Sequence, residues 1–322
     1  MRSFYLSLCL LLLTCIIYLS CSTDKDISTS YMRANGKIKV LSTTAMINDL
    51  VGIVGGEEID HICLIQGDID PHSYELVKGD GEKLIQADIL FFNGLGLEMG
   101  ASLKNQLEKH PRAIVLGDLM YANKPFSFVF VNGQIDPHIW MDIALFAEAI
   151  DPIVRALGEK DPAHAKLFRK RGDKLKEKMH SKDRELFDQM QRIPPEKRFL
   201  VTSHDAFHYF VKKYLAKPGE LEWEERLIAP EGLAPDGQMS TVDIKRVVDF
   251  LCEKKIHVIF AETNISQNAL KKIVSVCRER GLNVAIADLP LFGDTMGTKE
   301  KGVHSHLDMI EYNIRTIIKN LE

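Results

Sequence analysis

The chain has 322 residues, 45% of them hydrophobic and 27% charged, with a formal net charge of −4. This is ordinary globular composition, and the length allows two domains. The mildly acidic balance gives no basic footprint for nucleic acid, and no collagen-like, Gln/Asn-rich or Pro-rich tract runs through the sequence.

The chain opens with Met1-Arg2, is almost wholly apolar from Phe4 to Ser20, and turns polar at Ser22-Thr23-Asp24-Lys25-Asp26. Residues 1–20 read as a bacterial signal peptide; the stretch is at the short edge for a membrane-spanning anchor, which is the competing reading. Ser20 directly before Cys21 favours cleavage there and lipid attachment to the new N-terminal cysteine. The lipoprotein pattern is imperfect, since Tyr18 stands where leucine is usual. Residues 21–36 are polar and unpatterned, a tether. Once Cys9 and Cys15 leave with the signal and Cys21 carries lipid, Cys63, Cys252 and Cys277 remain. Three is odd, so no disulfide framework is implied. Cys63 reads as a buried small hydrophobe, while a Cys252–Cys277 pair stays open.

From Lys37 onward, short apolar runs alternate with amphipathic stretches. Strands are expected at 38–41, 59–65, 89–92 and 113–116, with helices near 44–54, 79–87 and 97–109. That alternation argues for parallel β/α units over residues 37–158. Gly94, Gly96 and Gly100 lie near a strand end but make no dinucleotide-binding fingerprint. A helix near 142–158 is followed by a longer one within 159–195, with Asp161 as N-cap and Pro162 at its first position. Phe168, Leu175, Met179, Leu186, Met190 and Ile193 recur at helical spacing until Pro194-Pro195 stops the pattern. Roughly thirty residues make a rod of about 45 Å. The alternation resumes over 196–322, with strands near 198–203, 227–229, 257–262 and 283–287, and helices near 206–215, 241–254, 267–280 and 305–319. The expected fold is α/β, two β/α lobes with parallel central sheets joined by one long rigid backbone helix.

Three histidines sit in matched settings: Asp70-Pro71-His72, Asp136-Pro137-His138 and Thr202-Ser203-His204. Strand-to-loop junctions at the carboxyl ends of parallel strands are where open α/β sheets place ligands, and histidine is the commonest metal ligand. His204 follows one such run, His72 follows another after a Gly-Asp turn, and Asp294 follows the last strand in the same way. The proline before His72 and before His138 limits where each imidazole can point. His208, one helical turn past His204, reads as support for the site. His304 and His306 follow Asp294 in a polar loop and are expected to matter little. His61, His110, His164, His180 and His257 read as surface residues.

These residues, with Asn93-Gly94-Leu95-Gly96-Leu97-Glu98 and Leu291-Phe292-Gly293-Asp294, resemble the cluster A-I solute-binding proteins of ABC importers, the TroA- or ZnuA-like family, and most of all its YtgA-type branch. The resemblance covers essentially the whole mature chain. It implies that His72, His138, His204 and Asp294 ligate one divalent transition metal, Zn, Mn or Fe, between the lobes. It implies a monomeric periplasmic lipoprotein that delivers its ion to an inner-membrane permease and ATPase. Two departures bear on the metal. Zinc-dedicated members usually carry a His-rich acidic loop between the first two ligands, where this chain has only His110. Several manganese-selective members place a glutamate where His204 stands.

Two other functions compete. A zinc hydrolase needs an open coordination position and a base, for which Glu75, Asp205 or Glu262 are candidates, but no His-Glu-x-x-His is present and Asp294 would fill the fourth position. A surface adhesin is compatible with a lipid anchor, yet no repeat supports it. No Walker-type loop occurs, so the chain itself does not hydrolyse ATP by that route, and no enzymatic activity is expected.

Overall fold

Parallel strands joined by helices have both faces covered, and the chain builds that arrangement twice. The computed structural model describes residues 31–235, 240–297 and 302–322. The signal segment and Cys21 lie outside the described residues. Tyr31, in the stretch expected to be tether, is fully buried in the same cluster as Leu41, Leu84 and Leu90, and its hydroxyl donates to the Lys83 carbonyl at 3.1 Å. The chain is therefore already docked on the body at Tyr31.

The first lobe contains β1 (Ile38–Ser42), α1 (Ala45–Gly55), β2 (Ile59–Cys63), α2 (Asp80–Gln86), β3 (Ile89–Phe92), α3 (Ala101–Lys109), β4 (Ala113–Val115) and α4 (Leu116–Asn123). Its four strands are parallel in the order β2-β1-β3-β4. Helix α1 is capped by the Thr44 side chain and buries Met46, Ile47, Leu50, Val51 and Val54, a stripe at helical spacing. The third helix was expected from residue 97 but starts at Ala101, because Gly100 packs against the Tyr74 backbone with a non-helical ψ of 126°. A short hairpin, β5 (Phe130–Val131) and β6 (Gln134–Ile135), precedes His138, and α5 (Ile143–Phe146) and α6 (Ile150–Lys160) follow it.

The long helix α7 runs over Ala165–Met190, 26 residues or about 39 Å. It is shorter than expected because Asp161 caps a separate turn, accepting from the backbone N–H of Ala163 and of His164. Its buried stripe is Phe168, Gly172, Leu175, Met179, Asp183, Leu186 and Met190. Asp183 accepts from the Tyr214 hydroxyl at 2.9 Å and pairs with Lys213 at 2.8 Å, tying the helix to the second lobe.

The second lobe contains β7 (Leu200–Val201), the short α8 (His208–Phe210) continued by a wider turn over Val211–Leu215, β8 (Leu227–Ile228), α9 (Thr241–Lys254), β9 (Val258–Ile259), α10 (Asn268–Glu279), β10 (Ala285–Ile286) and α11 (His306–Leu321). Strands β7 and β8 pair in parallel, as do β9 and β10, and the Phe260 N–H donates to the Val201 carbonyl to join the two pairs. The order β8-β7-β9-β10 repeats the pattern of the first lobe. These strands are shorter than the sequence suggests. Beyond Thr202 the backbone N–H groups of Ser203 and His204 turn to the Glu262 carboxylate rather than to a neighbouring strand. One hydrophobic cluster runs from Ile38 through α7 to Ile317, so the lobes share a core. Cys63 is buried as expected, and Cys252 and Cys277 are both free thiols.

Gly172 is where α6 crosses α7: a Cβ there would lie 2.5 Å from Val154 Cγ2 and 3.1 Å from Ile150 Cγ2. On an open helix face Gly→Ala stabilises by up to about 1 kcal/mol. Here the crossing reverses the sign, and Gly172→Leu is expected to cost about 1–3 kcal/mol through overpacking. Urea denaturation of the Ala and Leu variants checks this; a raised midpoint for Gly172→Ala would show that the crossing has slack.

Candidate metal centre

The structure brings His72, His138, His204 and Asp294 together, all buried, with one ligand atom from each lying within 4.8 Å of all the others. His72 stands in the loop after β2 and His138 directly after the hairpin; both come from the first lobe. His204 follows β7, and Asp294 follows Leu291, which bridges to Glu262; both come from the second. The imidazole Nε2 atoms face the centre. Nε2 of His72 is 3.2 Å from Nε2 of His138; Nε2 of His138 is 3.2 Å from Asp294 Oδ1; Nε2 of His204 is 3.1 Å from Asp294 Oδ2; and Nε2 of His72 is 3.9 Å from the same Oδ2. A tetrahedron with bonds of about 2.0 Å has edges of about 3.3 Å, so this cluster has the spacing of a first coordination shell.

The repeated Asp-Pro-His is one backbone solution used twice. Asp70 Oδ1 accepts from the His72 N–H, and Asp136 Oδ1 from the His138 N–H, each at 2.9 Å. The copies then diverge. Asp136 Oδ1 also lies 2.6 Å from His138 Nδ1, whereas Asp70 turns its second oxygen to the Ser73 hydroxyl and His72 Nδ1 is buried without a hydrogen-bond partner. His204 Nδ1 lies 2.8 Å from Glu262 Oε2. The angle of that approach is bent, but both atoms are shut off from water and have no other hydrogen-bond partner among the described residues. Two of the three imidazoles therefore have a carboxylate on the nitrogen facing away from the centre.

That difference sets the protonation. Burial pushes His72 down to about 4, outweighing the pull of Asp294. Burial also opposes charge on His138, but Asp136 and Asp294 overcome it and raise this residue to about 9. His204 is raised well above the usual imidazole range, burial being outweighed by Asp294 and Glu262. Asp294 is held well below the usual carboxylate range by His204 and His138 despite its burial.

Further groups hold the site in place. Asn264 donates to Asp294 Oδ2 at 3.2 Å. Trp140 Nε1 donates to the Gly293 carbonyl at 2.9 Å, and the Tyr209 hydroxyl donates to the Asp136 carbonyl at 2.9 Å, so each link crosses between lobes. Asn93 donates to the Pro137 carbonyl at 3.0 Å from the loop organised by buried Glu98, which accepts from Thr43 Oγ1 and from the N–H of Asn93 and of Gly94. His208 supports the site as expected, with Nδ1 3.2 Å from Asp136 Oδ2. His304 is exposed, but His306 is fully buried with Nε2 2.7 Å from the Trp140 carbonyl, outside the donor cluster. His61, His110 and His180 are half-buried rather than surface groups; His61 Nδ1 meets Asn48 Oδ1 at 2.9 Å. Two of the three carboxylates considered as a hydrolytic base are already engaged. Glu75 caps α3 by accepting from the N–H of Ala101 and of Ser102, and Glu262 holds His204; Asp205 meets His208 only through its backbone carbonyl, and its carboxylate is not among the four clustered residues.

Comparison with known proteins agrees with this geometry. Residues 40–320 match the family described as "ZnuA: Zinc-uptake complex component A periplasmic". The chain belongs to this family. Its members are the solute-binding components of metal ABC importers, working with a permease and an ATPase, and they are not enzymes. The chain is 37% identical to the metal-binding protein YtgA of Chlamydia trachomatis over 310 residues, 95% of this chain and 92% of that one. The crystal structure of Fe(III)-bound YtgA from that organism superposes with a TM-score of 0.82, covering 88% of this chain and 97% of the other. The manganese-binding lipoprotein MntA of Bacillus subtilis is 30% identical over 94% of each chain. The periplasmic zinc-binding protein TroA of Treponema pallidum superposes at a TM-score of 0.79, with 26% identity, 89% of this chain and 99% of that one.

The protonation pattern predicts how binding of a metal at this cluster depends on pH. His138 and His204 carry protons in the empty protein at neutral pH, and each must release one before its Nε2 can bind a cation; His72 does not. Affinity should fall by about a hundredfold for each unit that pH drops through the neutral range, two protons being displaced, and should keep rising with pH at least to about 9, where His138 gives up its proton. Zinc competition titrations from pH 6 to 9 check the slope. An affinity that is flat above pH 7 would contradict it.

Proposed function

We propose that His72, His138, His204 and Asp294 hold one divalent transition-metal ion, Zn²⁺, Mn²⁺ or Fe²⁺, which this chain captures outside the inner membrane and hands to its permease. The observation that carries the reading is the convergence of these buried donors at coordination spacing. Imidazole nitrogen with carboxylate oxygen suits all three metals. The relatives described as Fe(III)-bound, manganese-binding and zinc-binding cover the same three elements, although the iron there is trivalent. Intrinsic affinity follows the general order, zinc above iron and manganese, so the metal carried in the cell is set by availability. A dication suits the buried cluster: His138 and His204 release two protons as M²⁺ enters, so binding leaves its net charge unchanged.

One copy supplies donors from both lobes, which supports a reading of the chain as a working monomer. We further propose that Cys21 is the mature N-terminus and carries lipid, supported by the apolar run ending at Ser20 and the polar residues after it. Among the described residues no helix is long and apolar enough to cross a membrane.

Alanine at any one of His72, His138, His204 or Asp294 is expected to weaken zinc binding at least about a hundredfold. His304→Ala should leave it within about twofold, a change of only about 0.4 kcal/mol. Isothermal titration with a competing chelator reads both, and full-affinity binding by His138→Ala would overturn the site. For the anchor, Cys21→Ala should move the protein from the membrane to the soluble fraction. A variant that stays membrane-bound at the unprocessed mass would show an uncleaved anchor instead.

A further inference from the structure

The carboxylates behind His138 and His204 look equivalent but are wired differently. A metal takes an imidazole through its Nε2 lone pair only when the ring proton sits on Nδ1, so whatever faces Nδ1 fixes the usable tautomer. Asp136 serves His138 with a single oxygen: Oδ1 accepts from the His138 backbone N–H and from Nδ1, while Oδ2 faces His208 Nδ1 at 3.2 Å. Glu262 divides the task. Oε1 accepts from the N–H of Ser203 and of His204, each at 2.9 Å, and Oε2 alone meets His204 Nδ1 at 2.8 Å. Glu262 is almost fully buried, and Gly293 closes over it so tightly that a Cβ there would lie 2.3 Å from Oε2.

We infer that Glu262 is a positioning residue that fixes the metal-binding tautomer of His204 through a two-oxygen pattern no amide can copy, whereas the one-oxygen pattern of Asp136 can be copied. This rests on His204 being a ligand. In Glu262→Gln, a carbonyl oxygen kept on the two backbone N–H groups puts the amide NH₂ against Nδ1. Nδ1 must then accept, and the ring proton moves to Nε2, where it occupies the lone pair aimed at the metal. The opposite amide orientation leaves two buried backbone N–H groups facing NH₂, with no acceptor. In Asp136→Asn the carbonyl oxygen stays on His138. The NH₂ donates to His208 Nδ1, whose own proton moves to the other nitrogen at the cost of its contact with the Asp205 carbonyl; His208 is outside the ligand cluster, so that cost falls on stability rather than on the tautomer of a ligand.

The test compares His204→Ala, Glu262→Gln and Asp136→Asn by zinc competition titration, with the melting temperature of each metal-free protein. Both amide variants remove one negative charge at no change in side-chain size. Glu262→Gln should weaken zinc about as much as His204→Ala, a hundredfold or more, and Asp136→Asn only about tenfold. In ¹⁵N spectra of neutral imidazoles, His204 of metal-free Glu262→Gln should show its proton on Nε2. Equal losses for the two amide variants would mean that charge alone matters, and would overturn the inference. So would near-normal zinc binding by Glu262→Gln while His204→Ala has lost it. Normal binding by His204→Ala would instead remove the ligand assignment beneath it. Should Glu262→Gln fail to fold, the zinc-loaded unmutated protein decides: His204 must show an exchange-protected Nδ1–H, and a ring protonated elsewhere overturns the inference.

Discussion

The rest of this structure follows from having to bury three carboxylates and three imidazoles in one small space. Asp136, Glu262 and Asp294 have side chains with no solvent exposure, as do His138 and His204. An isolated buried charge is costly enough that it survives only when paired and hydrogen-bonded. Each carboxylate accordingly meets an imidazole, and each is also held by backbone or amide N–H groups. The second-lobe strands end early because the backbone N–H groups of Ser203 and His204 turn to Glu262. The Asp-Pro-His turn serves the same end, using proline to fix the chain and aspartate to take the next-but-one N–H.

The cluster draws its residues from both lobes, so its geometry depends on how firmly the lobes are joined. Helix α7 contributes its apolar stripe to a core that continues from one lobe into the other. Trp140 to Gly293 and Tyr209 to Asp136 are hydrogen bonds between the lobes made next to the ligands themselves. A shared core and such local links resist the wide closure available to lobes joined only by flexible strands. Changes on metal binding are therefore expected in the loops that carry the proposed ligands. Among the proposed ligands His72 stands out, since among the described residues no carboxylate holds its Nδ1.

Much of this was legible in the sequence because it depends on period and punctuation. Alternating apolar runs gave the parallel β/α layout, and the Phe168-to-Met190 spacing marked the joining helix. The repeated Asp-Pro-His with Ser203-His204 marked three of the cluster residues, and Asp294 was readable from its place after the last strand. What stayed hidden depends on tertiary contacts. Nothing local to Glu262 says that it will face His204 rather than serve as a base. Asn264, Trp140 and Tyr209 carry no motif for their roles beside the site. His306 read as an unimportant loop residue, yet it is fully buried on the Trp140 carbonyl because α11 begins there and packs into the shared core. The helix expected from residue 97 starts late for a tertiary reason: Gly100 packs on the Tyr74 backbone, and Glu75 takes the N–H of Ala101 and of Ser102.

The most direct test of the central claim is a crystal structure of the zinc-loaded protein with data collected at the metal's absorption edge. The account requires one anomalous peak per chain, about 2.0–2.2 Å from Nε2 of His72, of His138 and of His204 and from an Asp294 carboxylate oxygen. A peak that lacks any one of these ligands, or that sits on other side chains, would contradict it.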